Sequence, residues 1–179
     1  LCWAGIERAR SCGASEVASA LGNSLYMHSM RKDIEMTRSI CGELVPISER
    51  MGYKMWFHHA QFFLGWALTS EGERGGFEMM EESMQRFRRA HEMVEQTLFY
   101  YLLAERYLAD GNCNRARHNV DLGLALVEQH GERFFEVPLL RLKALCCEAG
   151  DQPAKADEVA TLNTLADKTA REQGATIWY

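Results

Sequence analysis

The 179-residue chain has no apolar run approaching the roughly 20 residues that a bilayer-spanning helix requires, so no membrane association is expected. Basic charge is in deficit. Twenty Lys and Arg stand against 25 Asp and Glu, giving a net charge of −5 and a pI near 5.7. Phosphate binding needs a basic surface, so nucleic acid is not the expected partner. Arginines do gather at Arg86, Arg88 and Arg89 and at Arg115 and Arg117, but they alternate with acidic turns and read as solvated helix faces. Sustained apolar–polar alternation is missing and Val, Ile and Thr rarely run together, which removes the signals for strands. None of the six cysteines (Cys2, Cys12, Cys41, Cys113, Cys146, Cys147) forms a C-x-x-C pair, and most sit in apolar periodic segments. Adjacent Cys146 and Cys147 point to different sides of a helix. Reduced core cysteines in a cytoplasmic protein are expected.

Catalytic and metal signatures are equally sparse. His58 and His59 are neighbours, and on a helix adjacent side chains diverge by about 100°, whereas zinc sites favour an i, i+4 pair. His91-Glu92-x-x-Glu95 lacks the second histidine of a zincin motif. Glu78, Glu81 and Glu82 beside Met79, Met80 and Met84 lack the Glu-x-x-His motifs of a carboxylate-bridged metal bundle, so a solvated face beside a methionine-filled core is expected. Glu73-Arg-Gly-Gly76 has neither Walker nor Rossmann spacing and reads as a turn. No catalytic residue, cofactor or metal is expected.

What the chain does contain is a repeat. Gly72, Gly111 and Gly150 stand at equal intervals in acidic or polar turns. A second series, Gly13, Gly52, His91, Gly131 and Gly174, interleaves with the first at nearly the same period. Trp56, Phe135 and Trp178 each follow a member of that series by four residues. Glycine after a helix supplies the left-handed C-terminal conformation at little steric cost. The spacing therefore predicts helix pairs, with A helices over 14–31, 53–71, 93–110 and 133–149. The matching B helices fall over 34–51, 74–90, 113–130 and 153–173. Residues 2–11 read as the end of a preceding B helix and 175–179 as the start of another A helix. One repeat domain over 1–179 is expected, with repeats at 14–51, 53–90, 93–130 and 133–173. Pro46 and Pro138 fall inside predicted helices, where proline removes an amide donor and tends to kink or break them. Pro153, by contrast, is well placed near a helix start.

Small and large positions match as well: Leu103-Ala104-x-x-Tyr107-x-x-x-Gly111-x-x-x-x-Ala116-x-x-x-Val120-x-x-Gly123, echoed by Leu64-Gly65-x-x-Leu68-x-x-x-Gly72. This pattern resembles the tetratricopeptide (TPR) repeat. It implies an all-α, right-handed superhelical stack of about four antiparallel helix pairs, a TPR-like α-solenoid in which neighbours bury each other's apolar faces. Further runs, Phe63-Leu-Gly-Trp-Ala-Leu-Thr-Ser-Glu-Gly72, Leu103-Ala-Glu-Arg-Tyr-Leu-Ala-Asp-Gly111 and Leu124-Ala-Leu-Val-Glu-Gln-His-Gly-Glu-Arg-Phe-Phe135, resemble the helical repeat region of bacterial multidomain signalling proteins. In these, an adenylate/guanylate cyclase domain or a LuxR-type DNA-binding domain is joined to an ATPase and then to TPR-like repeats. The resemblance spans about Tyr26 to Trp178 and departs from the pattern at His91 and Pro138.

The resemblance implies a non-catalytic interaction or regulatory module, with a protein or peptide as partner, including other domains of the same chain. The alternative is a small-molecule sensor with a pocket inside the superhelix. Both termini read as cut: the chain opens on Leu-Cys-Trp-Ala-Gly-Ile without Met or a leader layout and ends on Ala-Thr-Ile-Trp-Tyr. A fragment of a larger protein is expected, whose cyclase or ATPase domain would lie outside it. In TPR-like stacks the A helices line a concave groove. Stepping along the repeat gives two columns, Asn23–Phe62–Tyr101–Leu140 and Met27–Trp66–Glu105–Ala144. With His59, these make Asn23, Met27, His59, Phe62, Trp66, Tyr101 and Glu105 the candidate groove residues.

Overall fold

The computed structural model describes residues 2–90, 96–149 and 156–175. The readings placed on His91, Glu92, Glu95, Gly150, Pro153 and Trp178 lie outside them. Among the described residues there are nine α-helices and no strand, so the all-α expectation holds. The chain divides into two compact units, Leu1–Glu92 and Met93–Tyr179.

The first unit contains α1 (Cys2–Arg10), α2 (Ala14–Met30), α3 (Ile34–Met51), α4 (Lys54–Ser70) and α5 (Gly75–Ala90). Local chemistry sets most of these boundaries. Asp33 accepts a hydrogen bond from the Met36 amide and so satisfies one of the orphan donors at the start of α3. At its other end Gly52 takes φ 70°, and the Tyr53 amide reaches back to the Ser48 carbonyl at 2.9 Å, the bond that closes a Schellman turn. Gly72, two residues after α4, has φ 89°. At the same distance after α2 the left-handed residue is Lys32, with φ 55°.

Pro46 does not break α3. It lies on the solvent face, and four residues earlier Gly42 is also exposed, so water can take up the carbonyl that proline leaves unbonded. Consecutive helices of the unit pack on one another, and α2 also packs on α4. The A helices of successive pairs thus touch directly. Helix α4 has neighbours on three sides (α2, α3 and α5), and its buried residues include Phe62, Phe63, Trp66 and Ala67. Met80, Met84 and Phe87 of α5 are buried while Glu78 and Glu82 face water.

The second unit contains α6 (Gln96–Ala109), α7 (Cys113–His130), α8 (Glu136–Ala149) and α9 (Ala156–Gln173). It repeats the punctuation of the first. Asn112 caps α7 by accepting from the Arg115 amide at 3.1 Å, and Gly131 closes it with φ 71°. Helices α6 and α8 touch, as α2 and α4 do. Gly123 of α7 leaves room for Leu139 and Tyr100: a Cβ there would meet both Leu139 methyls at 3.0 Å. Val137 and Leu140 of α8 close on Ala166 and Ala170 of α9.

Two expectations need correction here. The fourth A helix starts at Glu136 rather than residue 133, because residues 131–135 form the connection. Pro138 therefore lies in the first turn, where no intrahelical amide bond is lost, and it causes no break.

Candidate functional site

Of the seven groove candidates, the structure exposes two. Asn23 and Met27 lie one turn apart on α2, both exposed, with Met27 at 52%. Tyr101 and Glu105 on α6 are half-buried, and the Tyr101 hydroxyl donates to Glu105 Oε1 at a long 3.5 Å. Burial, with help from Glu105, pushes the Tyr101 phenol above its ordinary range. Its ring lies 5.6 Å from that of Phe135, the last residue of the connection before α8.

His59, Phe62 and Trp66 are buried, so they do not offer an open aromatic face on α4. The cause is packing: α2, α3 and α5 cover the side of α4 that carries these three residues, and the side left partly open carries Phe57, Gln61, Leu64 and Leu68 instead. Phe62 meets Phe63 edge-on at 5.6 Å, and Trp66 is 1% exposed.

His59 instead fills an aromatic box. Tyr26 from α2, Trp56 and Phe63 from α4 and Phe87 from α5 surround it, with ring centroids 5.1 to 5.7 Å away. The Tyr26 hydroxyl and His59 Nε2 share a hydrogen bond whose direction follows the imidazole tautomer. Burial pushes the imidazole down to about 4, so His59 is neutral at physiological pH. Trp56, whose place four residues after Gly52 stood out in the sequence, lies over Gly22 of α2. A Cβ on Gly22 would come within 2.1 Å of the indole.

The two histidines diverge as expected. His58 is half-buried beside Phe57 at 5.4 Å, and burial, then Arg86 and Lys54, holds it below its ordinary value. Among the described residues no three His, Cys, Asp or Glu side chains come together in a group that could hold a metal ion. The Glu73–Gly76 stretch turns into α5, and Gly76 serves packing. A Cβ there would meet the Gly65 carbonyl oxygen at 2.4 Å. No helix among the described residues is long and apolar enough to cross a membrane.

Sequence reasoning missed the Tyr26–His59 pair. Its signal was one polar and one amphipathic aromatic side chain on successive A helices, but the two are out of step with the repeat, Tyr26 late in α2 and His59 early in α4, so stepping along the period does not pair them. No protein-family model, curated protein or solved structure matches the chain.

Proposed function

We infer that the chain is a non-catalytic interaction module of TPR-like character. It holds a protein or peptide, and it serves a larger signalling ATPase, nucleotide cyclase or transcriptional regulator. The observation that carries this reading is the division of labour between the two A helices of the first unit. Helix α4 is enclosed and supplies the core, whereas α2 leaves Asn23, Met27 and Met30 in water along one side. Unbranched, polarisable methionine adapts to different partner surfaces, and asparagine beside it adds hydrogen-bonding capacity. Two groups of the first unit that could do chemistry are buried. His59 is spent on packing, and the Cys41 thiol, which burial pushes up to about 12, is inert as a nucleophile.

A photo-crosslinking residue placed at position 27 of the full-length parent polypeptide, in the cells that make it, tests this reading. The expected result is a covalent product with one polypeptide, or with another domain of the same chain. The same residue at Ser39, exposed on α3, should give none. Equal labelling from both positions would defeat the reading. Native mass spectrometry showing a retained small molecule, without a crosslink at 27, would favour the sensor alternative.

A further inference from the structure

Three of the chain's cysteines gather at one end of the second unit. Cys113 is the first residue of α7, and Cys146 and Cys147 lie in the last turn of α8. The two helices pack on each other and are joined by the short connection 131–135, so they run in opposite directions. The start of α7 therefore lies beside the end of α8. Cys113 Sγ donates to the Ala149 carbonyl at 3.3 Å. Ala149 follows Cys146 by three residues, which puts both on one face of α8. Cys113 thus sits at the C-terminal end of α8, near enough to Cys146 for the two thiols to act on each other electrostatically. Cys147 turns elsewhere, towards Glu158 Oε1 at 3.8 Å, and Glu158 in turn pairs with Arg117 at 3.6 Å. Access separates the thiols further: Cys113 is partly exposed, while Cys146 and Cys147 are buried.

We propose that Cys113 and Cys146 are a peroxide-reactive thiol pair, with Cys113 the site of attack and Cys146 the resolving thiol that closes a disulfide between α7 and α8. The Cys113 thiolate attacks one oxygen of hydrogen peroxide or an organic hydroperoxide. The O–O bond breaks, and the departing hydroxide or alkoxide takes a proton to become water or an alcohol. Cys113 is left as the sulfenic acid. Cys146 then loses its proton and attacks the Cys113 sulfur. The S–OH bond breaks, and hydroxide leaves with that proton as water. Two thiols have lost two electrons and two protons, and the peroxide has gained them.

Burial first, then the neighbouring Cys113 and Cys147 sulfurs, pushes Cys146 up to about 11. The second step therefore draws on a buried thiol that gives up its proton reluctantly, and it accelerates as pH rises. Sulfenic acid at Cys113 accumulates first and can be trapped with dimedone.

Peptide mapping of the peroxide-treated full chain tests the pair. Trypsin releases Cys113 in the peptide Tyr107–Arg115 and the adjacent cysteines in Ala144–Lys155. The linked pair of peptides should appear in the wild type and in Cys147→Ser, and vanish in Cys113→Ser and Cys146→Ala. Cys146→Ala should also retain severalfold more dimedone adduct at Cys113 than the wild type does. Conversion of Cys113 to sulfinic acid without the link would overturn the proposal. So would a link that persists in Cys146→Ala through Cys147. Should Cys146→Ala unfold the unit, Cys147→Ser decides: the link persists there only through Cys146, and its loss in that variant would overturn the proposal.

Discussion

Gly65 of α4 and Gly76 of α5 press backbone to backbone. A Cβ on Gly65 would lie 2.5 Å from the Gly76 carbonyl oxygen, and one on Gly76 would lie 2.4 Å from that of Gly65. Neither obstacle is a flexible side chain, so the helices themselves would have to separate. In the second unit Ala104 of α6 and Ala116 of α7, both at 0% exposure, stand at the corresponding places.

Gly65→Ala should therefore lower the unfolding free energy by about 1–3 kcal/mol through overpacking. Gly42→Ala is the control. It sits on an exposed face of α3 with nothing within 4 Å of the new methyl. There the gain in helix propensity should stabilise by about 0.5–1 kcal/mol. Urea titrations of the two variants should move in opposite directions.

Trp66→Ala should cost about 3–5 kcal/mol, the loss expected when a fully buried aromatic ring is removed. Met27→Ala should stay within about 0.5 kcal/mol, as exposed substitutions do. Thermal melts of the pair separate an enclosed A helix from an exposed one. Similar small shifts for both would mean that Trp66 is not packed.

Acid should destabilise the first unit through His59. Its folded value is about 4 against an ordinary 6.5. Between those values the unfolded chain binds the proton and the folded one does not. Stability is therefore full above pH 6.5 and falls as the pH drops towards 4, by an amount on the order of 3 kcal/mol. His59→Phe keeps the ring in its aromatic box and removes the titration. The slope of stability against pH across this window should flatten in that variant. An unchanged slope would assign the acid sensitivity to other groups.

Lys32→Gly should raise stability by up to about 1 kcal/mol, because Lys32 occupies a left-handed conformation that disfavours a Cβ. Gly72→Ala, in the equivalent turn after α4, should lower it by a similar amount. Denaturant midpoints would show the two turns responding with opposite sign.

The helix pairs were legible because their punctuation is chemical and local. Gly52, Gly72, Gly111 and Gly131 sit where only a residue tolerant of positive φ closes the helix cheaply, and the intervals between them expose the repeat. Lys32 escaped the glycine series because its turn follows the same geometry without the residue that advertises it. Pro138 looked disruptive only while the connection after Gly131 was read too short. The groove was harder to read for a physical reason. A periodic sequence shows which residues share a side of α4, but the number of helices packed around α4 decides whether that side meets water. The cysteine pair was beyond reach for the same reason, since Cys113 and Cys146 become neighbours only when α7 and α8 run back to back.

The exposed side of α2, with Asn23, Met27 and Met30, is the surface proposed to receive a partner. Affinity should be measured for the polypeptide captured from position 27, comparing Met27→Glu with Ser39→Glu at matched melting temperature. The expected result is at least a tenfold loss for Met27→Glu, about 1.4 kcal/mol of binding free energy, and none for Ser39→Glu. Equal affinities in both variants, or equal losses, would contradict it.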